Sequence, residues 1–73
     1  MATPFESIQQ LIKTMNGSSS ISTEIKAAAA EGLGYAGGAD ARAALIKVIN
    51  GSSSISVEVK AAAAKALGHA ASR

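Results

Sequence analysis

The chain carries one histidine and no cysteine, so its candidates for chemistry are few, and each depends on what stands beside it. His69 has no His or Cys partner, whereas a protein-only metal site draws three or four such ligands or carboxylates onto one ion. Serines are plentiful in Ser18-Ser19-Ser20 and Ser52-Ser53-Ser54. A serine nucleophile needs a base within hydrogen-bond reach, and these clusters sit in segments of turn composition with a single histidine in the whole chain. Gly17-Ser18-Ser19-Ser20 and Gly51-Ser52-Ser53-Ser54 also lack the Gly-Lys of a phosphate-cradling loop. The serines are read as helix caps and turn residues, and no catalytic residue, metal ligand or cofactor site is assigned.

One constellation rises above this background. Ala27, Glu31 and Tyr35 fall at i, i+4 and i+8, and Ala61, Lys65 and His69 restate the spacing 34 residues later. On a helix each triplet forms a column. If the two helices stack side by side, with axes about 8 to 10 Å apart, Glu31 faces Lys65 and Tyr35 faces His69. The plain reading is a solvated face with a surface ion pair worth about 0 to 1 kcal/mol. The functional reading is a partner-binding face made by Glu31, Tyr35, Lys65 and His69.

The elements that must position these residues are themselves written twice. Leu11-Ile12-Lys13, Asn16-Gly17-Ser18-Ser19-Ser20-Ile21-Ser22, Lys26-Ala27-Ala28-Ala29-Ala30 and Leu33-Gly34 return as Leu45-Ile46-Lys47, Asn50-Gly51-Ser52-Ser53-Ser54-Ile55-Ser56, Lys60-Ala61-Ala62-Ala63-Ala64 and Leu67-Gly68. A period of this length marks stacked supersecondary units, each too small to bury its own apolar face. Thr3-Pro4-Phe5-Glu6 reads as a capped helix start, followed by an apolar stripe at Phe5, Ile8, Leu11, Ile12 and Met15. Asn16-Gly17 ends it, with Gly17 expected in the left-handed conformation. Ser22 caps a second helix from about Thr23, whose inward stripe is expected at Ile25, Ala28, Ala29, Gly32, Leu33 and Ala36. Gly37-Gly38 stops that helix, and Asp40 suits the N-terminus of a third with Ala41, Ala44, Leu45, Val48 and Ile49 on its apolar side. Asn50-Gly51 and Ser56 repeat the stop and restart. A fourth helix runs from about Val57 to Ala71, with Val59, Ala62, Ala63, Ala66, Leu67 and Ala70 inward. Strands are not expected, because Ala-Ala-Ala-Ala has poor β propensity and nothing alternates with period two.

Composition narrows the function classes. A chain of 73 residues buries only about 60% of its unfolded surface, so its stability is expected to be marginal. Lys or Glu interrupts every apolar stretch short of a membrane span, and Met1-Ala2-Thr3-Pro4-Phe5-Glu6 lacks the pattern of a secretory signal. A cytoplasmic protein with no membrane partner is expected. The net charge of +2 comes from seven cations spread among five acids, which is no polybasic tract, so nucleic acid is not an expected partner.

Ser54-Ile55-Ser56-Val57-Glu58-Val59-Lys60-Ala61-Ala62-Ala63-Ala64-Lys65-Ala66-Leu67-Gly68 resembles the second-helix pattern D-P-x-x-x-V-R-x-x-A-A-x-A-L-G of the HEAT-like repeats named after phycobilisome lyases. Ile25, Lys26, Ala29, Leu33 and Gly34 match it in the first copy, and Gly37 to Ile46 resembles the family's turn into the next first helix. Three departures stand out: Lys26 and Lys60 where the family usually has Arg, Ser20 and Ser54 where it often has Asp, and Arg42 at a usually apolar position. Lys cannot make a planar bidentate contact and Ser carries no charge, so the ladder of charges between repeats is weakened. Deoxyhypusine hydroxylase, a related repeat enzyme, places a His-Glu iron-binding pair where this chain has Ala27-Ala28 and Ala61-Ala62, so the resemblance carries none of that chemistry over.

The resemblance implies an all-α fold, an α-α superhelix or HEAT-like α-solenoid. Its four helices would form two stacked αα-hairpins, first helices on one layer and second helices on the other. One domain is expected over residues 1–73, with repeat units of about 4–37 and 38–73. The function expected is a non-enzymatic protein-protein interaction module without a cofactor; the alternative is a part or relative of a bilin lyase complex that binds a tetrapyrrole or its carrier protein. Stacked repeats usually need about three units and polar ends. Two units therefore leave an apolar end, expected at Val59, Ala63, Leu67 and Ala70, which self-association or a longer parent chain would cover. Gly32, whose counterpart is Ala66, is expected to allow close backbone contact with a neighbouring helix, because a mid-helix Gly otherwise costs about 0.5 to 1 kcal/mol relative to Ala.

Overall fold

A computed structural model describes residues 4–17, 20–51 and 54–72. It is all-helical, with α1 at Pro4–Met15, α2 at Thr23–Ala36, α3 at Gly38–Ile49 and α4 at Val57–Ala71. The expected cap at Thr3 lies outside the described residues. No described helix is long and apolar enough to cross a membrane.

The helix ends repeat bond for bond. Ser22 Oγ accepts from the Ile25 N–H at 3.2 Å, and Ser56 Oγ accepts from the Val59 N–H at 3.3 Å. Each satisfies one of the donors that a helix start leaves orphaned. Asn16 N–H donates to Ile12 O and Gly17 N–H to Thr14 O, and 34 residues on Asn50 and Gly51 do the same to Ile46 and Val48. Gly17 and Gly51 nevertheless depart from the expected left-handed form, because among the described residues positive φ is confined to Gly37 (69°) and Gly38 (85°). The space a Cβ would take at Gly17 and Gly51 is filled instead by the isoleucine four residues on, Cδ1 of Ile21 and of Ile55, so a side chain there would have to displace the tip of that isoleucine. The left-handed step is reserved for the corner between hairpins. There Gly37 ends α2 by donating to Leu33 O at 2.9 Å, and α3 starts at the next residue, two positions before Asp40.

The core is largely alanine. Met15, Ala29, Ala30, Leu33, Ala41, Leu45, Val48, Val59, Ala62, Ala63, Ala66 and Ala70 are buried, with Leu33 and Leu45 the largest side chains fully enclosed. Ile8, Leu11, Ile12, Ala44, Ile49, Ile55 and Leu67 pack around them. The most extensive interface joins α2 to α4, and α1 pairs with α2 as α3 pairs with α4. Small residues let the second helices approach closely: a Cβ on Gly34 would stand 2.7 Å from Ala66 O and 2.8 Å from Ala66 Cα.

The inward stripes of α3 and α4 are those the periodicity predicts, whereas the α2 stripe, Phe5, the open face of α4 and the role of Gly32 differ from it. On α2, Ile25 is 53% exposed, and Ala28 and Ala36 are exposed too, while Ala30 and Gly34 are buried. The α4 stripe of Val59, Ala62, Ala66 and Ala70 is buried, with Ala66 against Gly34 of α2; its equivalents on α2, Ile25, Ala28, Gly32 and Ala36, lie on the side of α2 turned away from α4. Phe5, at the start of α1, is likewise exposed. The uncovered face of α4 is also displaced from Val59, Ala63, Leu67 and Ala70: the first, second and fourth are buried and Leu67 is half-buried, and the exposed stripe runs through Val57, Ala61, Ala64, Gly68 and Ala71. Finally, a Cβ on Gly32 would meet only the Leu11 side chain, at an ordinary 3.4 Å. The close backbone approach expected of Gly32 belongs to Gly34.

Candidate interaction face

Tyr35 is the last but one residue of α2, and His69 occupies the last turn of α4. Because both helices start from the same serine cap and run with the same register, residues one period apart come side by side. The rings of Tyr35 and His69 stack, with centroids 5.6 Å apart and planes inclined by 25°. Glu31 and Lys65, one turn earlier on each helix, join the two rings and Ala66 around a cleft of about 30 Å³. All four sequence-predicted residues are thus brought together, and the column spacing is what found them.

The face is displayed rather than enclosed. Tyr35 is 62% exposed, and Glu31, Lys65 and His69 are exposed as well. A cleft of this size has room for about one water molecule, so the side chains offer contact area and hydrogen-bonding tips to something that lies across them. Tyr suits that use because its rigid ring supplies apolar area at low entropic cost. Among the described residues no group of three or more His, Cys, Asp or Glu could hold a metal ion.

A larger open cleft of about 520 Å³ lies between the two serine-rich links, lined by Met15, Ile21, Lys26, Ser54, Ile55 and Val59 among others. Sequence reasoning did not anticipate it. The signal available was the lone isoleucine in each polar link: Ile55 packs against the core and Ile21 is half-buried, and both line the cleft. Two of its hydroxyl-bearing groups are committed elsewhere, since Ser56 caps α4 and Ser54 is engaged within the chain.

In comparisons with known proteins, no family model, no curated protein and no solved structure matches the chain.

Proposed function

We propose that the chain is a non-enzymatic protein-interaction module, built as two HEAT-like repeats of an α-solenoid, that meets its partner through Tyr35 and His69 with Glu31 and Lys65 as flanking charges. The observation that carries the reading is the exposed ring pair: two aromatic side chains from different repeats stack at 5.6 Å on a surface that leaves most of Tyr35 in water. Tyr is among the residues enriched at the energetic centres of protein interfaces. The repeat resemblance supports the same reading, because such scaffolds present side chains from successive second helices as one continuous surface.

The test is affinity capture with the wild-type chain beside the Tyr35→Ala/His69→Ala double variant, after far-UV dichroism shows equal helix in both. A protein retained by the wild type and lost by the variant supports the proposal. Equal retention of every captured protein refutes it.

A further inference from the structure

The two ends of the helix stack are the two halves of one interface. Inside the chain, Gly34 of α2 lies against Ala66 of α4, on one stripe with Ala30 and with Gly37 at the helix cap, while Val59, Ala62 and Ala70 share the stripe of Ala66, and every one of these residues is buried. One period later, Ala64, Gly68 and Ala71 restate the α2 side on the outer face of α4, and all three are exposed. One period earlier, Ile25, Ala28, Gly32 and Ala36 restate the α4 side on the outer face of α2, where all but the half-buried Gly32 are exposed. Ile25, a large apolar side chain of that outer face of α2, is 53% exposed. Gly34 is the position where a Cβ would strike Ala66, whereas its copy Gly68 has nothing within 4 Å. The glycine that close packing demands is therefore present at an end that packs on nothing within one chain.

We infer that a second copy of this chain occupies that end, head to tail, so that the outer face of α4 seats on the outer face of α2 of the next copy in the register that α2 and α4 already use. Gly68 then lies on Gly32 of the second copy as Gly34 lies on Ala66. Charge selects this arrangement over a two-fold symmetric one. Head to tail, Lys65 meets Glu31 of the second copy and His69 meets its Tyr35, continuing the alternation already built along the column. An α4-to-α4 dimer with parallel helices would set Lys65 against Lys65, and one with antiparallel helices would abandon the parallel register that α2 and α4 share. The Glu24/Glu58 and Lys26/Lys60 columns juxtapose like charges, but they do so across the internal interface as well, so the junction is no worse than the contact that exists. The interface is heterologous and leaves a free end on every copy, so growth does not stop at two chains. A single pair of short helix faces falls in the weak size class of protein interfaces, so assembly belongs to the upper micromolar to millimolar range.

The experiment is sedimentation of the full chain from low micromolar to millimolar concentration, with one variant blocked at each end. Gly68→Glu blocks the outer face of α4 and Ala28→Glu that of α2; both positions are exposed, and far-UV dichroism verifies the fold. Ala64→Glu and Ile25→Glu form a second pair should either of the first fail to fold. The wild-type average mass is expected to climb past twice the 7.2 kDa of one chain. Each blocked variant stays at one chain mass, and an equimolar mixture of the two forms a dimer and nothing larger, because one open end of each kind remains. A wild type that stays monomeric at millimolar concentration, or levels at a dimer, overturns the inference. So does a blocked variant that assembles like the wild type, or a mixture that fails to pair.

Discussion

Gly34 and Gly68 occupy the same place in the two repeats, yet alanine should move stability in opposite directions at the two sites. In a helix interior, Ala is favoured over Gly by about 0.5 to 1 kcal/mol, and that gain applies to both. At Gly68 a Cβ meets nothing within 4 Å, so the gain stands alone and Gly68→Ala should stabilise the chain by that amount. At Gly34 the Cβ would sit 2.7 to 2.8 Å from the oxygen, Cα and Cβ of Ala66. Ordinary carbon contacts lie at about 3.5 to 4.0 Å, so α2 and α4 would have to separate by about 1 Å. Two of the three opposing atoms are backbone and cannot swing aside. Overpacking of this kind costs about 1 to 3 kcal/mol, which offsets or outweighs the propensity gain of about 0.5 to 1 kcal/mol and leaves Gly34→Ala less stable than wild type by up to about 2.5 kcal/mol. For a domain of this size each kcal/mol shifts Tm by about 4 to 8 °C, well within the reach of thermal melts followed by far-UV dichroism. The melts belong at low micromolar concentration, where the ends of the stack stay open. If Gly34→Ala melts at or above Gly68→Ala, the close approach of α2 to α4 at Ala66 is wrong.

Other substitutions probe the remaining features. Gly32→Ala adds a methyl at ordinary distance from Leu11 and should raise stability by about 0.5 to 1 kcal/mol, read in the same melts. Leu33→Ala and Leu45→Ala each empty a fully enclosed site; large-to-small changes of this kind cost about 2 to 5 kcal/mol, enough to leave so small a domain largely unfolded by dichroism at room temperature. Ser22→Ala and Ser56→Ala remove equivalent caps and should each cost about 0.5 to 2 kcal/mol, with urea midpoints lowered by similar amounts. A double-mutant cycle on Tyr35→Ala and His69→Ala should return a coupling of no more than about 1 kcal/mol, because the ring pair is wet.

Much of this architecture is legible in the residues. Ser22 and Ser56 announce their helices, Gly37-Gly38 supplies the corner, and the i, i+4 spacing of Glu31 and Tyr35 against Lys65 and His69 predicts that Tyr35 faces His69, whose rings the structure stacks. The inward face of α2 was not legible, and the reason is compositional. Ala27-Ala28-Ala29-Ala30 puts small apolar residues all round the helix, so a period of 3.6 residues has no unique apolar side to pick out. Repetition adds a second ambiguity, since Ala30 and Ala64 each end the same Lys-Ala-Ala-Ala-Ala run yet one is buried and the other exposed. Their difference comes from place in the stack, which no window along the chain records. Gly17 and Gly51 teach the same lesson at short range: a glycine after an asparagine reads as a left-handed stop, but here the side chain four residues on takes the Cβ space.

The central claim is that two hairpins form one alanine-lined core by pressing Gly34 of α2 onto Ala66 of α4. A nuclear Overhauser spectrum of isotopically labelled protein at dilution tests it most directly. Strong cross-peaks are expected from the Gly34 α-protons to the Ala66 methyl, with the Gly68 α-protons showing contacts only within α4. A spectrum in which Gly34 has no contact with α4, while Gly32 contacts Ala66 in its place, would contradict the account.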